Sequence, residues 1–532
     1  MCRNLWHTMG RSGCKVLREY LFFRRGYRMC YIIQTSGSRG EGRVSEGIRG
    51  ILLVLCCLLS LTGCETFRAR AQGMLKRFPF ERDARQWTRP GDFRDLTWTE
   101  AFNALHAKFS REYALGEWKQ VPWESLYSRY AMLIADAQAR EDQRAYYIAL
   151  RRYLHEIPDG YVRVSDEPQW RLEAIGGWYG LSVVPLEEDT LFVYRVDPGR
   201  SAAKAGIRWG ARIVSWNGHD TRAALSSAPV WWVDAPAATW AGKMLDQCMV
   251  LTRGPVGGSV TVEYVNPGES IKRSAQLTAE SDDFAAMRDV VNYARDFSML
   301  QEPFTLRFEE RDGQKYAVLA IYVQSATLNV PFPDRAFKRI IDRINRESPR
   351  GLVLDLRGDS GGSLELALEF AAHFVREPRA LARVVRYDDT RGGFMLDDRE
   401  PVRVEPRDPR YEGPVCVLVH RSTRDTGQVI ALAIQGQSNV RVVGVMGGDG
   451  SWAVPGGLIH MPGDYVVEYP VGRYVDEQGN VVACARGDLE GGLTPDITIP
   501  AEPELLAQEF KNQRDSLLEQ ALKLLGGNFA GN

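Results

Sequence analysis

Gly351-Leu-Val-Leu-Asp-Leu-Arg-Gly-Asp-Ser-Gly-Gly362 is the stretch whose reading decides the fold. Leu352 to Leu356 is a short apolar run, and a polar, glycine-rich turn ends it. An amphipathic run then extends from Ser363 to about Val375. The order is that of a buried strand, a tight turn and a helix start. Such a turn aims bare backbone N–H groups from a helix N-terminus, an arrangement that favours an anion or an oxyanion. On its own the stretch is an ordinary βα turn; the residues from 411 to 500 give it its meaning.

Outward from that turn, strand and helix patterns alternate. Tyr316 to Val323 reads as a strand and Phe337 to Ile344 as an amphipathic helix. Pro414 to Val419 is a strand, Gly427 to Ile434 a helix and Arg441 to Val445 a strand. Asp464 to Pro470 belongs to a β-rich section closing at Pro495-Asp496, and residues 504–525 form a polar amphipathic helix. The alternation implies a mainly parallel sheet covered on both faces.

Upstream the pattern is helical. Trp98, Ala101, Phe102, Leu105 and Phe109 fall at i, i+3, i+4 spacing. A second helix after Pro122 carries Leu126, Tyr130 and Leu133; a third, from about Asp142 to Glu156, stops at Pro158-Asp159-Gly160. From residue 175 the logic becomes that of strands. Gly176-Gly-Trp-Tyr-Gly-Leu-Ser-Val-Val184 is a glycine-rich loop entering a strand, and Leu191 to Val196 is the next. Asp197 to Gly206 is a turn and short helix; Arg212 to Trp216 is a strand with Asn217-Gly218 as a hairpin signal. This segment resembles a PDZ domain of the bacterial protease type, interrupted by an insertion near Pro229 to Lys243. The resemblance implies a peptide added to a sheet edge, its terminal carboxylate held by the loop Trp178-Tyr179-Gly180-Leu181.

The chain of 532 residues has a formal net charge of -1, so nothing calls for nucleic acid. Ile51 to Leu61 is an apolar run too short to span a bilayer, preceded by Arg43 and Arg49 and closed by Leu61-Thr62-Gly63-Cys64. It resembles a bacterial lipoprotein signal, which implies diacylation of Cys64 and cleavage before it. The Arg-rich residues upstream suggest a translation start near Val44. Without residues 1–63 the chain has 57 basic and 65 acidic side chains, a net of about -8. Glu65, rather than aspartate, after Cys64 points to an outer-membrane destination in the cell envelope, facing the periplasm. Of nine cysteines, five precede the cleavage site and Cys64 would carry lipid. Cys248, Cys416 and Cys484 remain, an odd number that makes no full disulfide framework. No Cys/His cluster has zinc spacing, and no cofactor is expected.

The helical segment, the PDZ-like segment, Leu354 to Gly362, Val415 to Val419, Val442-Val-Gly444 and Gly492-Leu-Thr-Pro-Asp496 together resemble the C-terminal processing peptidases, or tail-specific proteases, over about residues 95–500. The resemblance implies an α/β multidomain chain with an N-terminal helical bundle, a PDZ domain and a crotonase-like α/β peptidase core. Its expected divisions are an upstream extension and lipoprotein signal (1–63), a tether (64–92), a helical bundle (93–168), a PDZ-like domain (169–275), a protease-like core (276–505) and a C-terminal helix (506–532). Those peptidases use a serine activated by a neutral lysine, with backbone N–H groups holding the oxyanion.

Here the matching turn is Ser422-Thr-Arg-Asp-Thr-Gly-Gln428, which puts Asp425 at the nucleophile's place and Gly450 at the lysine's. No lysine occurs between Lys338 and Lys511, so a small shift of alignment cannot restore the pair. A related tricorn-like branch uses serine, histidine and glutamate. Tyr161, after Asp159-Gly160, stands where its histidine would be, and Leu489 where its glutamate would be. The oxyanion scaffold of Gly361, Gly362 and Thr426 remains available for a carboxylate or carbonyl oxygen. Arg357 reads best as an ion-pair partner of Asp355 or Asp359.

The expectation is a membrane-tethered, non-catalytic relative that binds peptide or protein C-termini. The alternative is an active serine peptidase whose nucleophile has moved to Ser422, with His420 two residues away on the same strand face and Asp449 or Glu490 as acids or bases. A third reading is a purely structural lipoprotein.

Overall fold

The computed structural model describes residues 88–527 apart from 188, 289–301 and 513. Cys64 and the apolar run of residues 51–61 lie outside the described residues, as do the extension and most of the tether. Among the described residues no helix is long and apolar enough to cross a membrane.

Three helices come first. In α1 (Trp98–Glu112) the Thr97 side chain accepts from the Glu100 N–H while Glu100 returns the bond to Thr97, a capping box. The spaced apolar residues Ala101, Phe102, Leu105 and Phe109 form its buried stripe. Helix α2 (Trp123–Ala139) buries Leu126, Tyr130 and Ile134. Helix α3 (Gln143–His155), capped by Asp142, buries Tyr146, Tyr147, Leu150 and Tyr153.

A first antiparallel sheet follows, from β1 (Leu181–Glu187), β2 (Thr190–Val196), β3 (Arg212–Trp216), β4 (Ser259–Val265) and β5 (Arg273–Thr278), in the order β5-β4-β3-β2-β1. Alternate residues Leu181, Val183, Leu191, Val193, Ile213, Val260 and Val262 fill its core. The anticipated insertion forms a turn at Val230–Trp232 and helix α4 (Trp240–Leu251), which packs beside β1.

The second half builds the sheet that carries the site. Strand β6 (Phe304–Arg311) pairs antiparallel with β7 (Gln314–Ile321), and helix α5 (Pro333–Glu347) leads to β8 (Leu352–Asp355). Helix α6 (Leu364–Ala371) leaves the glycine-rich turn, and β9 (Arg379–Asp388) starts an excursion to another sheet. The chain returns in β10 (Val415–Leu418), helix α7 (Thr426–Ile434) and β11 (Val440–Gly444). Hairpin β12 (Ala453–Met461) and β13 (Tyr465–Val475) follows, then β14 (Ile497–Thr498) and helix α8 (Ser516–Gly526).

The order is β6-β7-β8-β10-β11-β14, parallel from β7 onward, with Leu319 beside Leu354, Leu354 beside Val417 and Val417 beside Val442. Those residues meet Phe337, Ile341, Phe370 and Ile430 of α5, α6 and α7. Val318, Val353, Cys416 and Val443 point to the opposite face, against Leu518, Ala521 and Leu525 of α8. Both faces are covered, which is why these strands read as unbroken apolar runs. The terminal helix differs from the continuous one expected over 504–525. Residues Pro503–Leu506 and Ala507–Lys511 form separate turns, and Asp515 caps a fresh start by accepting from the Leu518 N–H.

The three first helices and the β12–β13 hairpin share one core. Trp98 stacks on Tyr146 at 4.7 Å, Phe109 meets Tyr469 at 4.8 Å and Tyr147 meets Tyr465 at 5.0 Å. Short strand Arg163–Val164 also pairs with β13. This joint brings the loop after α3 to the end of the parallel sheet.

Candidate functional site

The site lies where β8 and β10 end. After β8, Gly361 and Gly362 take φ of +86° and +148°, conformations open to glycine. A Cβ on Gly362 would lie 2.5 Å from the Gln324 carbonyl oxygen. Only glycine lets this turn lie flat against the chain after β7, where the Ser363 N–H donates to the Gln324 carbonyl at 2.8 Å. Asp359 is fully buried; it accepts from the Gly361 N–H at 3.0 Å and from Gln324 Nε2 at 2.6 Å. Burial pushes its carboxyl up to about 8, against those hydrogen bonds. The Gly361 N–H is therefore committed to Asp359.

After β10 the chain makes a tight turn. The Thr423 hydroxyl donates to the Leu356 carbonyl at 2.9 Å and accepts from the His420 N–H at 3.0 Å. Asp425 then adopts φ 48° and ψ -122° at the start of α7. Such a conformation costs a non-glycine residue about 1–3 kcal/mol and concentrates at functional sites. The Asp425 carboxylate accepts from the Tyr161 hydroxyl, and the backbone N–H groups of Thr426 and Gly362 lie close enough to favour its charged form. Burial pushes its carboxyl up to about 6, with those three groups opposing. Asp425 and Tyr161 keep part of their surface open, beside exposed Gly362 and Arg424.

Two N–H groups of the expected oxyanion scaffold, those of Gly362 and Thr426, thus face the chain's own carboxylate. The Thr426 hydroxyl donates to Gln324 Oε1 at 2.8 Å.

Tyr161 is the residue that sequence reasoning left without a role. Fully buried Asp159 sets it in place, accepting from the Tyr161 N–H at 2.9 Å and from the Tyr113 hydroxyl at 2.8 Å. The Asp-Gly pair before Tyr161 was the visible signal; its meeting with Asp425 was not, because 264 residues separate the two.

Gly450 lies on the same rim, at φ +72°, with its N–H on Gln428 Oε1 at 3.2 Å. A Cβ there would stand 2.6 Å from Thr239 Cγ2 and 3.1 Å from Ala485 Cβ. Thr239 caps α4, so α4 packs directly on this position. Asp449 accepts from Gln428 Nε2 at 2.7 Å and from the Ser451 N–H at 3.0 Å, and burial pushes its carboxyl up to about 7. The Ser451 hydroxyl accepts from the Gly160 N–H at 3.0 Å, tying the Tyr161 loop to this rim. Glu490 is exposed and its N–H is bonded to Asp488.

His420 and Ser422 do meet: Nδ1 lies 3.1 Å from the Ser422 oxygen. Both are buried. Burial, with Arg421 and Arg357 nearby, pushes His420 down to about 3, so its imidazole is a weak base. Arg421 beside them donates to Asp246 at 2.5 Å and to the Gly242 carbonyl at 3.1 Å, both on α4. Arg357 forks onto Asp355 and onto Asp515 of the α8 cap; Asp359 is not its partner in these bonds.

The loop Trp178-Tyr179-Gly180-Leu181 leads into β1 and is buried. Trp178 Nε1 donates to the Leu181 carbonyl at 2.7 Å, and the Tyr179 N–H to the Thr252 carbonyl at 3.1 Å. Gly180 takes φ +86°, and its carbonyl accepts from Asp197 at 3.0 Å. Among the described residues no group of His, Cys, Asp and Glu is placed to hold a metal ion.

The raised Asp425 value makes a prediction. A carboxyl raised in the folded state adds stability that is complete below its unfolded value, near 3.8, and is lost as pH rises through about 6. Asp425→Asn keeps an oxygen for the Tyr161 hydroxyl and stays neutral. The stability of the native chain relative to this variant is expected to fall by about 2 kcal/mol between pH 4 and pH 7, at about 1.4 kcal/mol per unit less an allowance for the open side. Denaturant titrations at both pH values measure it; a constant difference would mean Asp425 is not held in this environment.

Residues 322–499 match the profile described as Peptidase family S41. The carboxy-terminal processing protease CtpA of Bacillus subtilis (strain 168) is 21% identical over 327 residues, covering 60% of this chain and 59% of that protein. The chain thus spans less than two thirds of that relative's length. A carboxyl-terminal-processing protease of Picosynechococcus sp. (strain ATCC 27264 / PCC 7002 / PR-6) is 24% identical over 395 residues, covering 71% of this chain and 78% of its own. A solved structure of mature CPAF complexed with lactacystin superposes with a TM-score of 0.58 at 12% identity, covering 81% of this chain and 99% of that one. That likeness concerns the fold.

Proposed function

We propose, from the premise that residues 322–499 are a Peptidase family S41 domain with carboxy-terminal processing proteases as relatives, that this chain binds peptide C-termini and does not cleave them. The observation that carries the reading is the Asp425 carboxylate, bonded by the Tyr161 hydroxyl and set against the glycine-rich turn beside the Gly362 and Thr426 N–H groups. A carboxylate is a poor acyl-transfer nucleophile toward an amide. It also puts a negative group beside the two donors that would stabilise a tetrahedral oxyanion. Gly450 offers no amine, and a Cβ there would press on Thr239 and Ala485. The chain fits a lipid-anchored protein of the bacterial envelope, with Cys64 as the anchor, that holds chain ends through its small sheet unit and the cleft beside Asp425.

A second reading rests on the 3.1 Å contact between His420 and Ser422, a nucleophile and base in reach of each other. It is weaker, because a histidine pushed down to about 3 takes a serine proton poorly. One assay separates the two. The soluble chain from Glu65 onward is incubated with an unstructured protein bearing an apolar C-terminus, beside Ser422→Ala and Asp425→Ala. Binding at micromolar affinity without turnover in any of the three is expected. Turnover abolished by Ser422→Ala alone would establish the relocated serine instead; turnover abolished by Asp425→Ala alone would make Asp425 catalytic.

A further inference from the structure

Strand β1 ends its sheet, bonded on one side to β2. Its other side faces α4 across a groove. Leu245, Cys248, Met249 and Thr252 form one wall, at the spacing of a single helical face. Trp178, Ser182 and Val183 form the other. A sheet edge beside a helix, next to a glycine-containing loop, is the geometry in which an extended peptide adds as a strand. Yet the groove is nearly full. Ala286 and Met287 line it from within the same chain, and only about 20 Å³ remains.

The segment that brings them is fastened at one residue. Asp282 pairs with Arg253 at 2.5 and 3.1 Å, both side chains almost fully buried. The same carboxylate accepts from the N–H groups of Phe284 at 3.2 Å and Ala286 at 2.9 Å, which folds the turn back on itself. Asp283 and Phe284 take φ of 49° and 59°, unfavourable for both. Met287, 9% exposed, ends the turn inside the groove. Its flexible thioether side chain suits an irregular apolar slot.

We propose that residues 282–287 are an intramolecular occupant of this groove, and that an extended peptide with an apolar side chain enters only by displacing them. The proposal rests on the reading of the groove as a peptide site. A competitor tied into the same chain lowers the apparent affinity by the fraction of time the groove stands open. Asp282 is the fastening and Met287 the occupying group.

Cys248 in the groove wall reports opening without any peptide. It is 2% exposed, as is Cys484, and Cys416 is fully buried. The soluble chain from Glu65 onward is treated with N-ethylmaleimide, and each cysteine is followed by mass spectrometry. In Asp282→Asn and Met287→Asp, Cys248 is expected to react at least tenfold faster than in the native chain, with Cys416 and Cys484 unchanged. An unchanged Cys248 rate in both variants would overturn the proposal. Equal acceleration at all three cysteines would overturn it too, since the segment would then be part of the common core. The peptide arm uses a ten-residue peptide with an apolar C-terminus. Its protection of Cys248 in the variants supports both the occupant and the peptide site. Faster labelling that no peptide slows would leave the occupant standing and sink the peptide-binding reading alone.

Discussion

Asp425→Ser combined with Gly450→Lys, the substitution that writes a serine–lysine pair into this chain, is expected to yield no peptidase turnover and a protein less stable by about 3 kcal/mol or more. Asp425→Ser by itself removes the charge that lies beside the Gly362 and Thr426 N–H groups. Gly450→Lys undoes the gain. Its Cβ would need the space of Thr239 Cγ2, 2.6 Å away, and of Ala485 Cβ at 3.1 Å. The backbone there, at φ +72°, adds about 1–2 kcal/mol for any residue with a Cβ. Thr239 cannot simply withdraw, because its side chain caps α4, and Arg421 clamps the same helix through Asp246. Thermal unfolding of Gly450→Ala, Gly450→Lys and the pair, with a cleavage assay on each, tests this. Gly450→Ala should already carry most of the stability loss. A double variant that cleaved an unstructured protein at native stability would show that α4 yields readily and that the missing amine alone explains the lost chemistry.

The second large effect is expected at Arg357. Its guanidinium is almost fully buried and forks onto Asp355 at 2.8 and 2.9 Å and onto Asp515 at 2.6 and 2.8 Å. Asp515 in turn caps α8, whose Leu518, Ala521 and Leu525 cover one face of the parallel sheet. Arg357→Met leaves two carboxylates facing each other without a cation. Breaking a buried pair by removing one partner costs about 3–5 kcal/mol. Arg357→Lys is expected to recover less than half of this, since one ammonium cannot make two bidentate contacts. Urea unfolding with tryptophan fluorescence measures both. A loss below about 1 kcal/mol for Arg357→Met would mean that α8 is held by its apolar face and that the fork is incidental.

The Asp425 site shows how far the residues could be read before folding. The resemblance put Asp425 at the nucleophile's place, Gly450 at the lysine's and Gly362 and Thr426 among the expected donors. The direction of the Asp425 side chain was not legible. A carboxylate in a turn reads as a solvated acid, whereas here it accepts from a tyrosine hydroxyl and lies beside two backbone N–H groups. Gly361 shows the same limit. The resemblance placed it in the scaffold, and its N–H turns inward to Asp359. Backbone N–H direction depends on φ and ψ, and glycine leaves both open.

Local pattern by itself marked most of the elements, though not the break before Asp515 in the terminal helix. Period-3.6 stripes marked α1 to α3, unbroken apolar runs marked the parallel strands, and Thr97 and Asp142 capped their helices through bonds to residues three positions on. These are short-range effects, so a short window of sequence contains them. Only the tertiary structure decided what spans hundreds of residues. It joined the first helices to the β12–β13 hairpin in one aromatic core, laid Thr239 against Gly450 and aimed Tyr161 at Asp425. It also placed Met287 in the groove beside β1. Each of these contacts arises because distant segments must bury their apolar faces on one another, and that packing has no periodic trace in the chain.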